Sequence, residues 1–163
     1  ILSNLGEEKD NRMNLLFFLT PKAEVAYLYD DFTLRQAIEK MEYHRYSSIP
    51  ILNRKGEYVG TITEGDILWA VKRNYNLNLQ DAEDMPIMSI PRKRDNKCVS
   101  VDTDMEELIA AAMRQNFVPV IDDREVFIGI VTRRDILKYC HDTLNEYEAK
   151  YGHKEEKEEI GAI

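Results

Sequence analysis

The hydrophobic pattern of the chain occurs twice. Residues 48–68 contain two short runs of branched apolar side chains, and an Asp-Ile-Leu triplet follows the second run. A shift of 69 residues gives the same order in residues 117–137, where Pro, Gly, Thr, Asp, Ile and Leu recur without a gap. Chance similarity of short apolar segments does not account for six identities in register. The pattern therefore predicts a tandem repeat.

A helical pattern precedes each copy. Apolar residues spaced i, i+3, i+4 and i+7 lie on one face of a helix. The spacing occurs at Leu34, Ala37, Ile38 and Met41, and again at Met105, Leu108, Ile109 and Ala112. The two patterns are 71 residues apart, so the second copy is two residues shorter between its helix and its proline-containing strand.

Each copy is predicted to form a β-α-β-β-α unit. Thr33 is a predicted helix N-cap, because Gln36 three residues later completes a capping box. The predicted elements of the first copy are a strand at 25–29, a helix from 34 to about 44, strands at 49–52 and 58–62 around a turn at 53–56, and a helix to about 73. A unit of about 45 residues cannot bury both faces of its sheet. We therefore predict an α/β (α+β) fold in which two units pack sheet to sheet about a pseudo-two-fold axis.

The organisation of the chain follows from the repeat. The predicted segments are an N-terminal segment at 1–21, the first repeat at 22–73, a linker at 74–97, the second repeat at 98–147 and a charged tail at 148–163. We expect the apolar part of the linker to dock against the second repeat. The last helix of that repeat can continue into the tail, which we expect to be solvated, with partner binding as the alternative. Met13 can be the natural start, with residues 1–12 as an added segment, and a genuine N-terminal extension is the alternative.

Composition and charge exclude several classes of function. The chain has 163 residues and a formal net charge of −8, which argues against a general nucleic-acid binder. The longest apolar run, residues 15–19, is too short to span a bilayer, and no signal-peptide pattern opens the chain, so we predict no membrane partner. Cys98 and Cys140 are too few for a disulfide framework, and they indicate free thiols in a reducing, cytoplasmic compartment.

A Gly-x-h-Thr-x-x-Asp motif, in which h is apolar, carries the candidate chemistry. It occurs at residues 60–66 and 129–135, each time where a predicted strand ends and a helix begins. One interpretation is structural, because Thr with Asp three residues later resembles a capping box. The other is functional. A helix N-terminus and a threonine hydroxyl suit a phosphate, and the carboxylate can accept hydrogen bonds from ribose hydroxyls.

Two arginines favour the functional interpretation. Arg133 and Arg134 lie in the first helical turn, where a cation costs about 0.3–1 kcal/mol. A cap alone gives no reason for them, whereas a bound phosphate does, because a guanidinium can donate two hydrogen bonds to it. The first repeat has Glu64 and Gly65 at these positions. We therefore expect the two clefts to differ, with the stronger anion site at the arginine pair.

On these motifs the chain resembles a CBS-domain pair, also called a Bateman module, over about residues 22–147. The resemblance implies two repeats that enclose two clefts, with adenine-containing ligands in them, and pairs that form disc-like dimers. In that family each cleft combines the Thr-x-x-Asp of one repeat with the first strand and the proline strand of the other repeat.

The sequence is also similar to the stand-alone bacterial CBS-pair proteins that bind cyclic di-AMP. The similarity lies in residues 25–26, 46–50, 89–92, 123–127 and 132–134. It implies a main ligand-binding cleft formed by Glu24, Val25, Ala26, Tyr46, Ser47, Ser48, Ile49, Pro50, Thr132, Arg133, Arg134 and Asp135. The second cleft, which we expect to be weaker or empty because the shorter segment before Pro119 removes room, would contain Thr63, Asp66, Asn116, Phe117 and Val118.

Two departures from those proteins keep the ligand open. Glu24 stands where they have a lysine, and Asp135 completes a motif of the mononucleotide type. AMP and ATP therefore remain alternatives to cyclic di-AMP.

The predicted function is regulatory rather than enzymatic. No general-base constellation and no zinc-like spacing of His and Cys occurs, so we predict no catalysis, no metal and no cofactor. We expect a homodimer that senses an adenine nucleotide and signals to an unknown partner protein, because large apolar residues such as Trp69 and Val71 exceed what one buried face needs. The alternative is a structural dimerisation module with vestigial clefts.

Overall fold

The computed structural model of the protein describes residues 14–159, and it describes side chains for residues 14–151. The predictions for residues 1–12 and for Met13 lie outside this part of the chain. The strands and helices are β1 (Thr20–Pro21), β2 (Leu28–Tyr29), α1 (Leu34–His44), β3 (Ser48–Leu52), β4 (Tyr58–Thr63), α2 (Glu64–Tyr75), α3 (Leu79–Ala82), β5 (Val99–Ser100), α4 (Met105–Ala112), β6 (Phe117–Ile121), β7 (Phe127–Thr132) and α5 (Arg133–Glu159). The predicted pair of β-α-β-β-α units and the α/β class are confirmed.

The ends of the first repeat's helix follow from local chemistry. The Thr33 hydroxyl accepts from the Gln36 amide, and the Gln36 side chain accepts from the Thr33 amide, so the predicted capping box is confirmed. The helix α1 ends at Arg45, which adopts a left-handed conformation with φ 57°. The predicted strand at 25–29 is shorter in the structure, because residues 22–24 form a 3₁₀ turn and only Leu28 and Tyr29 pair with β3.

Each repeat contributes one sheet. The first has the order β2-β3-β4, and the second has the order β1-β7-β6-β5. In both, a parallel first strand lies beside an antiparallel hairpin, and the hairpins have matching registers: Ser48 pairs with Thr63, and Phe117 pairs with Thr132. The threonines of both motifs therefore end their strands at equivalent places.

The two sheets meet where their hairpins approach each other. A backbone bridge joins Glu57 to Val126, and the Phe127 amide donates to the Gly56 carbonyl at 2.9 Å. A buried apolar cluster lies between the repeats and includes Leu52 and Phe127. The predicted sheet-to-sheet packing about a pseudo-two-fold axis is consistent with these contacts.

The apolar part of the linker packs on the first repeat, so our expectation that it docks on the second is wrong. The Met85 carbonyl accepts from the Leu34 amide at 2.8 Å, and the Ile87 amide donates to the Phe32 carbonyl at 3.0 Å. Met85, Ile87 and Ile90 belong to the first repeat's core. These backbone bonds next to the start of α1 hold the linker where its apolar side chains are covered.

The segment before the first repeat packs on the second. Leu15 is only 1% exposed and belongs to the second repeat's core. The strand β1 then pairs antiparallel with β7, with Thr20 opposite Ile130. Each repeat's core is therefore completed by the segment that precedes the other repeat in sequence.

Candidate functional site

A polar groove lies between the repeats beside the first Thr-x-x-Asp motif, and we call it the Asp66 groove. Its volume is about 650 Å³. It is lined by Ser47, Ser48, Thr63, Gly65, Asp66, Trp69, Lys93, Arg94, Asn96, Arg114, Gln115, Asn116 and Arg133. These residues come from both repeats and from the linker, so the groove exists only in the folded pair.

The motif at the floor of the groove is a closed capping box. The Thr63 hydroxyl accepts from the Asp66 amide at 3.1 Å, and the Asp66 Oδ2 accepts from the Thr63 amide at 3.0 Å and its hydroxyl at 2.8 Å. Gly65 leaves open space above this turn, since a Cβ there would have only the Thr63 hydroxyl as a neighbour, at 3.7 Å. The structural interpretation of the motif is therefore confirmed here, and room for a ligand remains beside it.

Four cationic side chains line the groove: Lys93, Arg94, Arg114 and Arg133. The carboxylate of Asp66 is the one acidic group among the lining residues of the groove. Arg94 donates to the carbonyl of Arg114, which joins the linker to the end of α4. The groove therefore carries an excess of positive charge, in a chain whose net charge is −8.

Arg133 has a structural partner that the sequence did not indicate. Its Nε donates to the carbonyls of Ala112 at 2.9 Å and Gln115 at 3.1 Å. These carbonyls lie at the C-terminal end of α4, where a cation is favourable. The argument that only a bound anion explains Arg133 is therefore wrong, because the end of α4 compensates its position at the start of α5.

The linker is fixed against the groove by a chain of hydrogen bonds. Asp95 accepts from the Thr61 amide at 2.9 Å and from Arg92 Nε at 2.8 Å. Partial burial raises the pKa of the Asp95 carboxyl, but the bonds from Arg92 and Thr61 outweigh it, so the pKa lies below its usual value. Asn96 donates to the Phe117 carbonyl at 2.9 Å, which ties the linker to the second repeat.

Tyr58 supports the same linker from below. Its hydroxyl donates to the Asn96 carbonyl at 2.8 Å and lies 2.8 Å from the Thr61 hydroxyl. Burial raises the pKa of Tyr58 well above its usual value, despite the opposing effect of the hydrogen bond with Thr61. Tyr58 is therefore neutral at any physiological pH and acts as a fixed hydrogen-bonding group.

The structure divides the residues predicted for the main cleft. Ser47, Ser48 and Arg133 line the Asp66 groove, together with Thr63 and Asn116, which were predicted for the second cleft. Asn116 Nδ2 donates to the Ser48 hydroxyl at 2.5 Å, so the two sets meet there. The expectation that this side lacks room is wrong, since the groove has a volume of about 650 Å³.

The other predicted residues lie apart from this groove or are buried. Thr132 donates to Asp135 Oδ2 at 2.5 Å, so the second motif also forms a local turn. Arg134, Asp135, Glu24 and Tyr46 are exposed or half-buried, and none of them is among the lining residues of the Asp66 groove. Six further members of the two predicted sets, none of them a lining residue of the groove, are buried: Val25, Ala26, Ile49, Pro50, Phe117 and Val118.

Sequence reasoning missed most of the cations of the groove. The lining residues that were not predicted for either cleft include Lys93, Arg94, Arg114 and Gln115. The usable signal was the basic run 92–94 directly before the second repeat. Among the described residues no group of three or more His, Cys, Asp or Glu could hold a metal ion. Within the same part of the chain, no helix combines the length and the apolar character that crossing a membrane requires.

Comparison with known proteins gives the family. The model of the CBS domain matches the chain twice, at residues 19–73 and 87–142. An inosine-5′-monophosphate dehydrogenase of Methanocaldococcus jannaschii is 30% identical over 110 residues, which are 66% of this chain and 20% of the enzyme. An uncharacterised protein of Methanopyrus kandleri is 33% identical over 116 residues, which are 69% of this chain and 57% of that protein. The chain thus spans only part of both relatives.

Solved structures share the fold over most of the chain. A CBS domain protein from Streptococcus pneumoniae is 30% identical with a TM-score of 0.69, over 79% of this chain and 87% of that one. The CbpB protein of Listeria monocytogenes in complex with c-di-AMP is 23% identical with a TM-score of 0.70, over 80% of this chain and 97% of that one. CBSX2 in complex with AMP is 16% identical with a TM-score of 0.61, over 80% of this chain and 97% of that one.

Proposed function

The chain belongs to the CBS-domain family, and on that premise we propose that it is a regulatory protein that binds the phosphates of an adenine nucleotide in the Asp66 groove. The observation that carries the proposal is the presence of four cations around one carboxylate in a groove of about 650 Å³. Charge-assisted hydrogen bonds from such side chains to phosphate are among the stronger ones in proteins. The complexes of CbpB with c-di-AMP and of CBSX2 with AMP support the same class of ligand.

The groove also offers a surface for the base. Trp69 lines the groove and is 52% exposed, which is unusual for the largest apolar side chain. A purine can stack on such a ring, and this contact is worth about 1–3 kcal/mol. A nucleotide with its base on Trp69 and its phosphates near Arg114 fits this arrangement.

The cleft at the second motif is a second candidate site. Thr132 and Asp135 form the same turn as Thr63 and Asp66, and Arg134 is exposed beside it. We propose that it binds a nucleotide more weakly than the Asp66 groove. We propose that the ligand is one of three adenine nucleotides: cyclic di-AMP, AMP or ATP.

Signalling requires a surface that changes when the nucleotide binds. Beside the Asp66 groove, α1 and α2 form an apolar groove of about 480 Å³ that is lined by residues including Met41, Ile67 and Val71. Leu68 lies in this apolar groove, and its neighbour Trp69 lies in the Asp66 groove. We propose that this face forms a homodimer and passes the signal to a partner protein. Light scattering at tens of micromolar tests it, and a monomer with and without nucleotide contradicts it.

Calorimetry with AMP, ATP and cyclic di-AMP tests the binding proposal. Arg114→Ala removes a groove cation whose side chain is exposed, and we expect it to weaken binding about tenfold or more, the value of one charge-assisted bond. Arg133→Ala should act similarly. Arg134→Ala is the matched control for the Asp66 groove, and we expect little change in the affinity of the tighter site. Affinity should fall with added salt because the phosphates are held by exposed charges.

Three outcomes are informative. A loss of binding in Arg134→Ala with normal binding in Arg114→Ala would move the ligand to the second cleft. Absence of binding of all three nucleotides to the wild type would favour the structural dimerisation module. Recovery of unchanged nucleotide after incubation is expected, because we propose a binding protein rather than an enzyme.

A further inference from the structure

The carboxylate of Asp66 is already occupied by the protein. Its Oδ2 accepts two hydrogen bonds from Thr63, and its Oδ1 accepts one from the Lys93 amide at 3.0 Å. The residue is only 7% exposed. A carboxylate has about four acceptor positions, so about one is left. Two hydroxyls of a ribose cannot both be accepted there unless Lys93 is released.

The equivalent carboxylate of the second repeat is different. Asp135 accepts from the Thr132 hydroxyl through Oδ2, and among residues 14–151 no hydrogen bond reaches its Oδ1. It is half-buried rather than buried. The segment before the first repeat therefore supplies no counterpart of the Lys93 amide, and the difference between the two motifs comes from the linker.

The bond from Lys93 to Asp66 places the cations of the groove. Lys93 is held by its backbone amide, and the next residue, Arg94, reaches the carbonyl of Arg114. Both side chains line the groove. Asp95 and Asn96 then fix the chain beyond them. Removal of the Asp66 carboxylate would release one anchor of this segment at the point where its charges face the groove.

We propose that Asp66 is a positioning residue that holds Lys93 and Arg94 at the groove, and that the groove binds nucleotides without using a free ribose diol. The inference rests on the proposed function and specifies its ligand class. The groove binds nucleotides whose ribose hydroxyls are absent or esterified with about the same affinity as nucleotides with a free diol. The first group includes 3′,5′-linked cyclic dinucleotides.

The first test compares AMP with 2′,3′-dideoxy-AMP by calorimetry. We expect the two dissociation constants of the wild type to agree within about threefold, because the one acceptor position left on Asp66 lies on a carboxylate that is only 7% exposed and cannot accept both hydroxyls of the diol. Asp66→Asn should weaken both ligands by the same factor and leave their ratio unchanged. A wild-type preference for AMP of about tenfold or more, the value of one hydrogen bond to a charged acceptor, that disappears in Asp66→Asn overturns the inference.

A second pair of variants covers the case in which Asp66→Asn folds poorly. Lys93→Pro removes the amide donor and leaves Asp66 in place, and Lys93→Ala is the matched control that removes only the charged side chain. Because Oδ1 of Asp66 becomes free, Lys93→Pro should acquire a preference for AMP over the dideoxy compound. Lys93→Ala should not acquire it. Equal behaviour of the two variants counts against the inference.

Hydrogen exchange on the protein without nucleotide separates this inference from the proposed function. The Lys93 amide should be protected in the wild type and should exchange at least about tenfold faster in Asp66→Asn, since the single acceptor oxygen of Asn cannot serve both Thr63 and Lys93 as the two carboxylate oxygens do. Asp104→Asn changes another helix-capping carboxylate and should leave Lys93 unchanged. Fast exchange at Lys93 in the wild type overturns the inference. If the Lys93 amide is protected but no nucleotide binds, the positioning role of Asp66 is supported and the proposed function is contradicted.

Discussion

Glu64 and Gly65 follow β4 in the first repeat, whereas Arg133 and Arg134 follow β7 in the second. The backbone around them is equivalent, since both threonines pair with the first residue of the preceding strand. Arg133 nevertheless lines the groove of the first repeat's motif, where it reaches the end of α4. The comparison teaches that a motif and the charges that serve it can come from different repeats, because the pseudo-two-fold packing brings the strand ends together.

The two repeats also differ in what covers Gly60 and Gly129, the equivalent glycines of the motifs. A Cβ at Gly60 would meet the Asp95 side chain, with Oδ1 at 2.6 Å. A Cβ at Gly129 would overlap the backbone carbonyl of Thr20. At its glycine the first repeat is therefore covered by a side chain of the linker, whereas the glycine of the second repeat is covered by the backbone of the N-terminal segment.

The largest expected effect tests whether each repeat's core is completed by the segment that precedes the other repeat in sequence. Leu15→Ala should lower the free energy of unfolding by about 2–5 kcal/mol, because it leaves a cavity in the second repeat's core. Ile87→Ala should cost a similar amount in the first repeat. Urea denaturation measures both. Leu16, which is 47% exposed, provides the control. If Leu15→Ala lowers the free energy of unfolding no more than Leu16→Ala does, the N-terminal segment does not complete the second repeat's core.

The glycine pair should give a smaller and unequal effect. Gly129→Ala should cost about 1–3 kcal/mol, because the Thr20 backbone must move. Gly60→Ala should cost about 1 kcal/mol, because the Asp95 side chain can turn away at the expense of its bond to the Thr61 amide. Thermal or urea unfolding of the two variants decides the order. An equal loss in both would show that the two segments yield with similar ease.

The ends of the first helices differ as well. The helix α1 ends at Arg45 with φ 57°, and Arg114 near the end of α4 is not among the described residues with positive φ. Glycine adopts this conformation without strain, so Arg45→Gly should raise the free energy of unfolding by about 0.5–1 kcal/mol. Arg114→Gly should not raise it. The same urea series measures both, and stabilisation by the second variant would refute the distinction.

The smallest expected effect concerns pH. The pKa of Asp95 is lowered in the folded state, so its contribution to stability is present above the unfolded pKa of about 4 and is lost as the pH falls through the folded value. Asp95→Asn should therefore be less stable than the wild type near neutral pH, and the difference should shrink below about pH 4. The difference is modest because the carboxylate is partly exposed. A gap that is independent of pH would contradict this role.

Local chemistry made most of the fold predictable. The spacing of Leu34 to Met41 and the capping box at Thr33 depend on neighbouring residues, and both were confirmed. The docking of the linker could not be predicted in the same way. The apolar residues 85–91 carry no local mark for one repeat or the other, and the backbone bonds to Phe32 and Leu34 form only in the folded chain.

The site was predictable in its motif and in four more lining residues, Ser47, Ser48, Asn116 and Arg133. Thr63 and Asp66 follow one another closely in sequence, whereas Lys93, Arg94 and Arg114 reach the groove from separate segments. These three side chains come together only when the repeats pack. The sequence pattern predicts that the repeats pack together, but it does not predict which residues then become neighbours. Arg133 shows the same limit, because its partners at the end of α4 are distant in sequence. The sequence therefore predicted part of the groove lining, and it missed three of the four cations.

The exchanged covering segments also bear on the order in which the molecule can be completed during synthesis. A chain emerges from the ribosome from its N-terminus at about 5–20 residues per second. The first repeat needs the linker only as far as Ile90 to close its core, whereas β1 has no partner until β7 has emerged and Leu15 belongs to the core of the second repeat. Contacts between such distant residues also form slowly, because a long loop must close first. Of the described chain, the part that is made first is thus among the last to reach its place.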